Sequence, residues 1–196
     1  MFEGRSVRLA AARTRRAVRP AERRLRLQRV MAGRKGFQRP TPLVRVPRAV
    51  IDRFFMRRVL GMAAEAARCG EVPVAALVVC RGVVMARAVN RVERDGSGLR
   101  HAEVLALDEI SRRQGRRLVD MTLYVNVEPC VMCAAAMVHA RLGRVVYGTD
   151  DPQRGGCGSQ VDVLALPGSL HHVGVTRGVF AQEARAQMQA FFRRRR

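Results

Sequence analysis

The sequence is poor in acidic residues, lysine and aromatic residues. Of its 196 residues only 16 are Asp or Glu, Lys35 is the single lysine, and there is no tryptophan. The 37 basic residues, nearly all arginine, leave a net charge of +21. Such an excess of positive charge predicts an anionic partner, with nucleic acid as the first candidate and an acidic membrane surface as the second.

Long apolar runs and a recognisable secretion signal are also missing. No stretch approaches the roughly 18 apolar residues that a membrane-spanning helix needs. The basic N-terminal quarter also lacks the amphipathic apolar face that binding to a membrane surface requires, so we expect no membrane partner. The five cysteines are an odd number without the spacing of a disulfide framework. This pattern predicts reduced thiols and a cytoplasmic location, and it favours metal binding or catalysis for any two cysteines that lie close in the chain.

The acidic residues are unevenly distributed along the chain. Residues 1 to 50 carry 15 basic and two acidic residues, whereas residues 51 to 196 carry 22 and 14. Because the first part also lacks hydrophobic runs, we expect residues 1–51 to form a basic, disordered arm and residues 52–196 to form one domain. Three roles stay open for the arm: holding RNA, organellar transit, or translated sequence upstream of the true start.

Beyond the arm, the hydrophobic pattern alternates between helix and strand. The spacing predicts a first helix over 52–69, with Asp52 as a candidate N-cap. Strands are predicted at 72–80, 83–90, 122–127, 144–147 and near 173, and further helices at 101–113, 131–140, near 161–164 and at 180–196. This order predicts an α/β fold, a three-layer α/β/α sandwich with a mixed sheet of roughly five strands.

Two short segments carry candidate chemistry: His101-Ala102-Glu103 and Pro129-Cys130-Val131-Met132-Cys133. Two cysteines separated by two residues at a helix start can direct both sulfur atoms to one point, where the helix N-terminus favours their thiolate forms. Together with His101 they form a ligand set typical of a catalytic Zn²⁺ with an open fourth position. A closed structural site would need a fourth ligand, and the candidates, none at a paired spacing, are His139, Cys157, His171 and His172.

Glu103 is placed to move protons beside that metal. His101 and Glu103 are separated by about 200° around a helix, so they can converge only on a site beyond the helix end. We therefore expect two helix N-termini to point at one Zn²⁺, with Glu103 near its water but outside the ligand set. The combined pattern is the signature of the zinc nucleobase deaminases.

From about residue 56 to the C-terminus the chain resembles the bacterial tRNA adenosine deaminases, which convert adenosine to inosine at the anticodon wobble position. The matching segments are Glu71-Val72-Pro73-Val74, Asn90-Arg91, His101-Ala102-Glu103, residues 122–141, Gly158-Ser159, residues 161–164 and Phe191-Phe192. The chain departs from the family at Val89, where an aromatic residue is usual, at Arg100, where a small residue is usual, and at Cys157. These departures bear on base packing and RNA context.

The resemblance implies a cytidine deaminase-like fold and an RNA-editing homodimer with one Zn²⁺ per subunit, acting on the anticodon stem-loop of tRNA. It implies that Glu103 shuttles protons during hydrolytic deamination, and that Asn90 hydrogen-bonds the base. The other substrate positions that it implies are Glu71, Val74, Asp151, Ser159, Phe191 and Phe192. Of the two phenylalanine rings, we expect one to anchor the last helix and the other to contact RNA.

Two other functions stay open. One is deamination of a free base or nucleoside of the cytosine or guanine type, which uses the same zinc signature. The other is a non-catalytic RNA-binding subunit that keeps the metal for folding. The Phe-Phe-Arg-rich C-terminus favours an RNA substrate over the first, and the presence of Glu103 argues against the second.

Overall fold

The structure is a computed structural model that describes residues 46–169 and 171–195. The predicted basic arm therefore lies outside the described residues up to residue 45. Residues 46–196 form one unit, built on a single sheet. Across the described ranges, no helix combines the length and the hydropathy that a bilayer crossing requires.

Helix α1 (Arg48–Arg68) begins four residues before the predicted start. The chain enters it through Pro47, which takes the N-cap position with φ −55°. Asp52 is therefore not the N-cap, and it lies buried inside the helix. Proline fixes φ and donates no backbone hydrogen bond, so it suits a helix entrance where no such bond is needed. The buried face of α1 consists of Asp52, Phe55, Met56, Val59, Ala63 and Ala66.

The sheet has five strands: β1 (Ala75–Cys80), β2 (Val83–Val89), β3 (Met121–Val127), β4 (Arg144–Thr149) and β5 (Gly174–Thr176). Their order is β2-β1-β3-β4-β5. Strand β1 is antiparallel to both neighbours, whereas β3, β4 and β5 run parallel. The mixed five-stranded sheet that the sequence predicts is confirmed.

The remaining helices are α2 (Val92–Asp95), α3 (Ala102–Gln114), α4 (Val131–His139) and α5 (Ala181–Arg193), with a 3-10 turn at Val163–Ala165. Side chains alternate across β1: Ala76 and Val78 join the core beneath α3 and α4, while Leu77 and Val79 pack under α1. Helix α5 packs beside α1. The result is the predicted three-layer sandwich. The short α2 lies between two predicted elements, in a segment for which the sequence predicted neither a helix nor a strand.

A buried ion pair joins α1 to the sheet. The Asp52 carboxylate accepts hydrogen bonds from Arg144 Nη1 at 2.8 Å, Arg144 Nη2 at 2.6 Å and the Tyr124 hydroxyl at 3.0 Å. Arg144 Nη2 also donates to the Thr176 hydroxyl at 2.6 Å. One carboxylate thus connects α1 to β3 and β4, and through Arg144 to β5.

Replacing Asp52 by alanine should lower the free energy of unfolding by about 3 kcal/mol, because the Arg144 side chain, which is only 14% exposed, would lose its partner. Urea denaturation measures the change. The matched control is Asp108→Ala, which breaks the exposed pair with Arg112 on α3 and should cost no more than about 1 kcal/mol. Equal losses in the two variants would contradict a stabilising role for the buried pair.

Candidate active site

Three ligand atoms converge where the N-termini of α3 and α4 meet. His101 is the N-cap of α3, Cys130 is the N-cap of α4, and Cys133 lies in the first turn of α4. His101 Nδ1 is 3.6 Å from Cys130 Sγ and 3.4 Å from Cys133 Sγ, and the two sulfur atoms are 3.7 Å apart. The two elements thus bring together all three residues that the sequence singled out as metal ligands.

These distances fit Zn²⁺. With Zn–S bonds of about 2.3 Å and Zn–N bonds of about 2.0–2.1 Å, tetrahedral geometry separates two sulfur ligands by about 3.8 Å and a sulfur from a nitrogen by about 3.5 Å. Among the described histidines, cysteines and carboxylates, this cluster has three members and no fourth. The arrangement fits a metal whose fourth position is open, as in catalytic zinc sites.

The ligands also influence one another's protonation. Contact with Cys133 lowers the pKa of Cys130 to about 4, so that its sulfur is a thiolate at neutral pH. Contact with Cys130 raises the pKa of His101. A metal ion needs both cysteines as thiolates and the imidazole neutral, so it competes with protons for all three ligands.

Three buried glutamates surround this cluster, and one of them differs from the other two. Glu71 and Glu128 use both carboxylate oxygens to accept hydrogen bonds from the protein. Glu103, in the first turn of α3, has a buried Oε2 to which no described residue donates. Burial raises the pKa of Glu103. Glu103 is therefore the carboxyl group with an oxygen free to exchange protons with a ligand.

Glu128 holds the loop that follows β4. Its Oε1 accepts from the backbone amides of Cys157 and Ser159, each at 3.0 Å, and its Oε2 accepts from the Asp151 amide at 3.0 Å and from the Ser159 hydroxyl. Burial alone would raise the pKa of Glu128, but these hydrogen bonds lower it. The signal for this role was a glutamate at the end of a buried strand, directly before Pro129-Cys130.

Two glycines let the same loop approach the metal ligands. The Gly156 amide donates to the Pro129 carbonyl at 2.7 Å. A Cβ on Gly156 would lie 2.8 Å from the Val131 nitrogen, and one on Gly155 would lie 2.5 Å from Glu128 Cδ. Because neither position has space for a side chain, the loop of residues 154–159, called the glycine loop below, packs directly on the backbone that carries Cys130.

A cavity of about 300 Å³ opens beside the cluster. Of the predicted substrate residues, Val74, Asn90, Asp151 and Phe192 line it together with His101, Glu103 and Cys130. Glu71, Ser159 and Phe191 are not part of this lining, and their contact with substrate stays a prediction.

The two phenylalanines occupy different environments. Phe191 is 8% exposed, with the Arg195 guanidinium 4.6 Å from its ring centre, whereas Phe192 is 42% exposed and faces the cavity. The burial of Phe191 fits the anchoring ring expected from the sequence, and contact of Phe192 with RNA stays a prediction.

The lining also includes residues that the sequence did not single out, among them Glu93, Glu128, Arg154 and Met188. Arg154 belongs to the glycine loop, and its amide donates to Asp151 Oδ1 at 3.1 Å. Met188 lies on α5 one turn before Phe192. A single arginine in a chain with 37 basic residues gave no signal by itself.

Arg100, a departure from the family pattern, helps to place His101. Arg100 Nε donates to Asp95 Oδ2 at 2.9 Å, Arg91 Nη2 donates to Asp95 Oδ1 at 3.2 Å, and the Arg91 amide donates to the Arg100 carbonyl at 2.9 Å. These hydrogen bonds hold together the two ends of the connection between β2 and α3. The arginine that replaces a small residue is thus held by Asp95 and leaves the metal cluster unobstructed.

Comparison with known proteins identifies a matching family and several similar proteins. The family described as the cytidine and deoxycytidylate deaminase zinc-binding region matches residues 50–149. A tRNA-specific adenosine deaminase of Bacillus subtilis is 38% identical over 143 residues, which cover 72% of this chain and 89% of that protein. A tRNA-specific adenosine deaminase of Rickettsia bellii is 35% identical over 142 residues, covering 71% and 98%.

Solved structures share the fold. One, from a study of A-to-I editing by tRNA:A34 deaminases at the wobble position of transfer RNA, matches with a TM-score of 0.65 and 36% identity, covering 68% of this chain and 98% of that one. A guanine deaminase from Nitrosomonas europaea matches with a TM-score of 0.62 and 23% identity, covering 71% and 83%. The second likeness concerns the fold alone.

Replacing Gly156 by alanine should weaken zinc binding about 10- to 100-fold, because the added Cβ would displace the backbone between Cys130 and Val131. Competition with a chromogenic chelator measures the affinity, and circular dichroism checks that the variant is folded. Gly98→Ala is the matched control, since a Cβ there meets nothing within 4 Å. A folded Gly156→Ala protein with unchanged affinity would show that the close approach is unimportant for the ligands.

Proposed function

The chain belongs to the cytidine and deoxycytidylate deaminase family and, within it, to the tRNA-specific adenosine deaminases, and we propose that it converts adenosine to inosine at the wobble position of a tRNA anticodon. The reaction is a zinc-dependent hydrolytic deamination. The observation that carries this proposal is a three-member ligand cluster beside a buried carboxylate oxygen without a partner, both at the wall of one cavity.

His101, Cys130 and Cys133 hold one Zn²⁺ per subunit. When bound, the ion supplies Lewis-acid chemistry that lowers the pKa of water toward neutrality. Glu103 takes a proton from the attacking water and delivers it to N1 of the adenine ring. It then passes the remaining hydroxyl proton to the amine at C6, which leaves as ammonia. The burial that raises the pKa of Glu103 lets this carboxyl group hold a proton between the two transfers.

The cavity residues position the nucleotide. Anticodon-loop bases are partly unpaired, so turning one into a pocket costs less than opening a duplex. Val74, Asn90, Asp151 and Phe192 contact this nucleotide or its neighbours. The other three predicted residues support this wall: Glu71 accepts a hydrogen bond from Asn90, Ser159 donates to Glu128, and Phe191 anchors the helix that presents Phe192. Direct contact of these three with the substrate remains a prediction.

The protein acts on the anticodon stem-loop as a homodimer in the cytoplasm. Val131, the residue after the ligand Cys130, is 50% exposed and offers an apolar contact for a second subunit close to the site. Sedimentation of the full chain at the monomer mass would contradict the dimer, and recovery of the protein in a membrane or organelle fraction would contradict the location. In the proposed division of the chain a basic arm precedes the deaminase domain, but residues 48–51, which the sequence analysis assigned to the arm, belong to α1. If deletion of residues 1–45 leaves RNA affinity and its salt dependence unchanged, the arm is not an RNA contact.

The Glu103→Gln variant should keep its zinc and lose deamination by at least 10²–10⁴-fold, because the amide cannot carry the proton. The assay incubates the full chain with a tRNA that has adenosine at the wobble position and detects inosine by sequencing. Parallel reactions with free adenosine, cytidine and guanine test the alternative of a free-base or nucleoside deaminase. Inosine formed by the variant at the normal rate would remove the proton shuttle, and faster turnover of a free base or nucleoside than of tRNA would replace the proposed substrate.

Arg154 should contact a phosphate beside the target nucleotide. Its backbone is fixed by Asp151, its side chain is exposed at the cavity, and it forms no ion pair with any described residue. Arg154→Ala should raise KM for tRNA several-fold and reduce the slope of log KM against log salt by about 1. Arg116→Ala, beyond the opposite end of α3, is the control for a general loss of charge. If both variants behave alike, Arg154 has no specific contact.

A further inference from the structure

The pair formed by Glu71 and Asn90 has a geometry that the proton shuttle does not use. Both residues are 5% exposed. The Asn90 amide nitrogen of the backbone donates to the Val74 carbonyl at 2.8 Å, and its side-chain Nδ2 donates to Glu71 Oε1 at 2.9 Å. Asn90 is therefore fixed at the cavity wall by its backbone and by its side chain.

Every partner of Glu71 is a hydrogen-bond donor. Oε1 accepts from Asn90 and from the Val72 amide at 3.0 Å, and Oε2 accepts from the amides of Glu93 at 3.0 Å and Arg94 at 3.2 Å. Two bonds to each oxygen fill the acceptor positions of a carboxylate. Since Glu71 offers only acceptors, the Asn90 side chain must direct its NH₂ group toward Glu71 and its carbonyl oxygen away from it.

The free end of the amide is therefore an acceptor. No described residue donates to Asn90 Oδ1. Because this oxygen is nevertheless not one of the fully buried polar atoms without a partner, it must retain some access to solvent. Because Asn90 lines the cavity and is otherwise buried, the access that Oδ1 retains is on the cavity side. A ligand in the cavity meets a fixed carbonyl oxygen, which calls for a donor on the ligand.

An adenosine within an RNA chain has few donors to offer. The ring atoms N1, N3 and N7 are acceptors, and the amine at C6 is the group that the reaction removes. The 3′ oxygen is part of the phosphodiester. The 2′-hydroxyl remains, and it is the group by which a protein distinguishes RNA from DNA at a given site.

We propose that Glu71 fixes the Asn90 amide so that Asn90 Oδ1 accepts a hydrogen bond from the 2′-hydroxyl of the target nucleotide. The pair then selects RNA over DNA at the position that is deaminated. This proposal rests on the proposed function, and it changes the expected partner of Asn90 from the base to the sugar. Glu71 is a positioning residue, because it acts only through Asn90.

The first test uses the wild-type chain and two anticodon stem-loops that differ in one atom. One carries adenosine at the wobble position, and the other carries 2′-deoxyadenosine there in an otherwise identical RNA. Loss of one hydrogen bond should raise KM for the second about 5- to 10-fold with a smaller change in kcat. Equal KM values for the two stem-loops would overturn the proposal. Failure to deaminate either one would instead overturn the proposed function.

The second test reverses the polarity of the pair. In Glu71→Gln the glutamine oxygen can still accept from the amides of Glu93 and Arg94. Its NH₂ group then faces Asn90, which turns the Asn90 oxygen toward residue 71, and it also faces the Val72 amide, which loses its acceptor in the single and the double variant alike. KM for the RNA stem-loop should rise about 5- to 10-fold, and the 2′-deoxy substitution should then cause little further loss.

The double variant Glu71→Gln with Asn90→Asp restores an acceptor toward the cavity, since the glutamine donates to one aspartate oxygen and leaves the other free. It should recover most of the lost KM and the sensitivity to the 2′-hydroxyl. A merely structural role of Glu71 predicts no rescue, so a double variant that remains as impaired as Glu71→Gln would overturn the proposal. If Glu71→Gln does not fold, the wild-type comparison of the two stem-loops still decides.

Discussion

The site depends on one constraint: two helix N-termini must meet within ligand distance. His101 and Cys130 are both N-caps, and their ligand atoms are 3.6 Å apart although the residues are 29 positions apart in the chain. Strand β3 fixes this distance. It pairs with β1 in the sheet, and its C-terminal end leads directly into α4. The donor dipoles of both helices then favour the thiolates and any water held between them.

The buried carboxylates around that meeting point have different roles. Glu71 and Glu128 have full sets of donors and stabilise backbone, one at the β2–α2 junction and the other in the glycine loop. Glu103 lacks a donor at Oε2 and is left to react. Among these three buried carboxyl groups near the metal ligands, the number of hydrogen bonds that each accepts separates the reactive one from the two that maintain the shape.

The sequence was sufficient for the fold and the metal cluster, because both are written in local patterns. Alternating strands and helices predicted the sandwich, and the spacing of Cys130 and Cys133 predicted two sulfur atoms at one point. The roles of Glu71, Glu128 and Arg154 could not be predicted from the sequence. The two glutamates bind backbone amides that are distant in the chain, and Arg154 is identified only by its position on the cavity wall. Asp52 shows the same limit: an acidic residue near a helix start predicts a cap, and only its distance from Arg144 identifies it as half of a buried ion pair.

These contacts show how the fold uses the few acidic residues of the chain. Asp52, Asp95, Glu71 and Glu128 are engaged by arginines or by backbone and side-chain donors within the fold. These four acids are engaged within the domain, whereas Glu93 and Asp151 place carboxylates on the cavity wall. Arg154 of the glycine loop and Arg193 of α5 form no ion pair with any described residue, so their charge can raise the local concentration of a polyanion before any specific contact forms. The low content of acidic residues therefore has two results in this chain: the carboxylates are used within the fold, and the net positive charge attracts RNA.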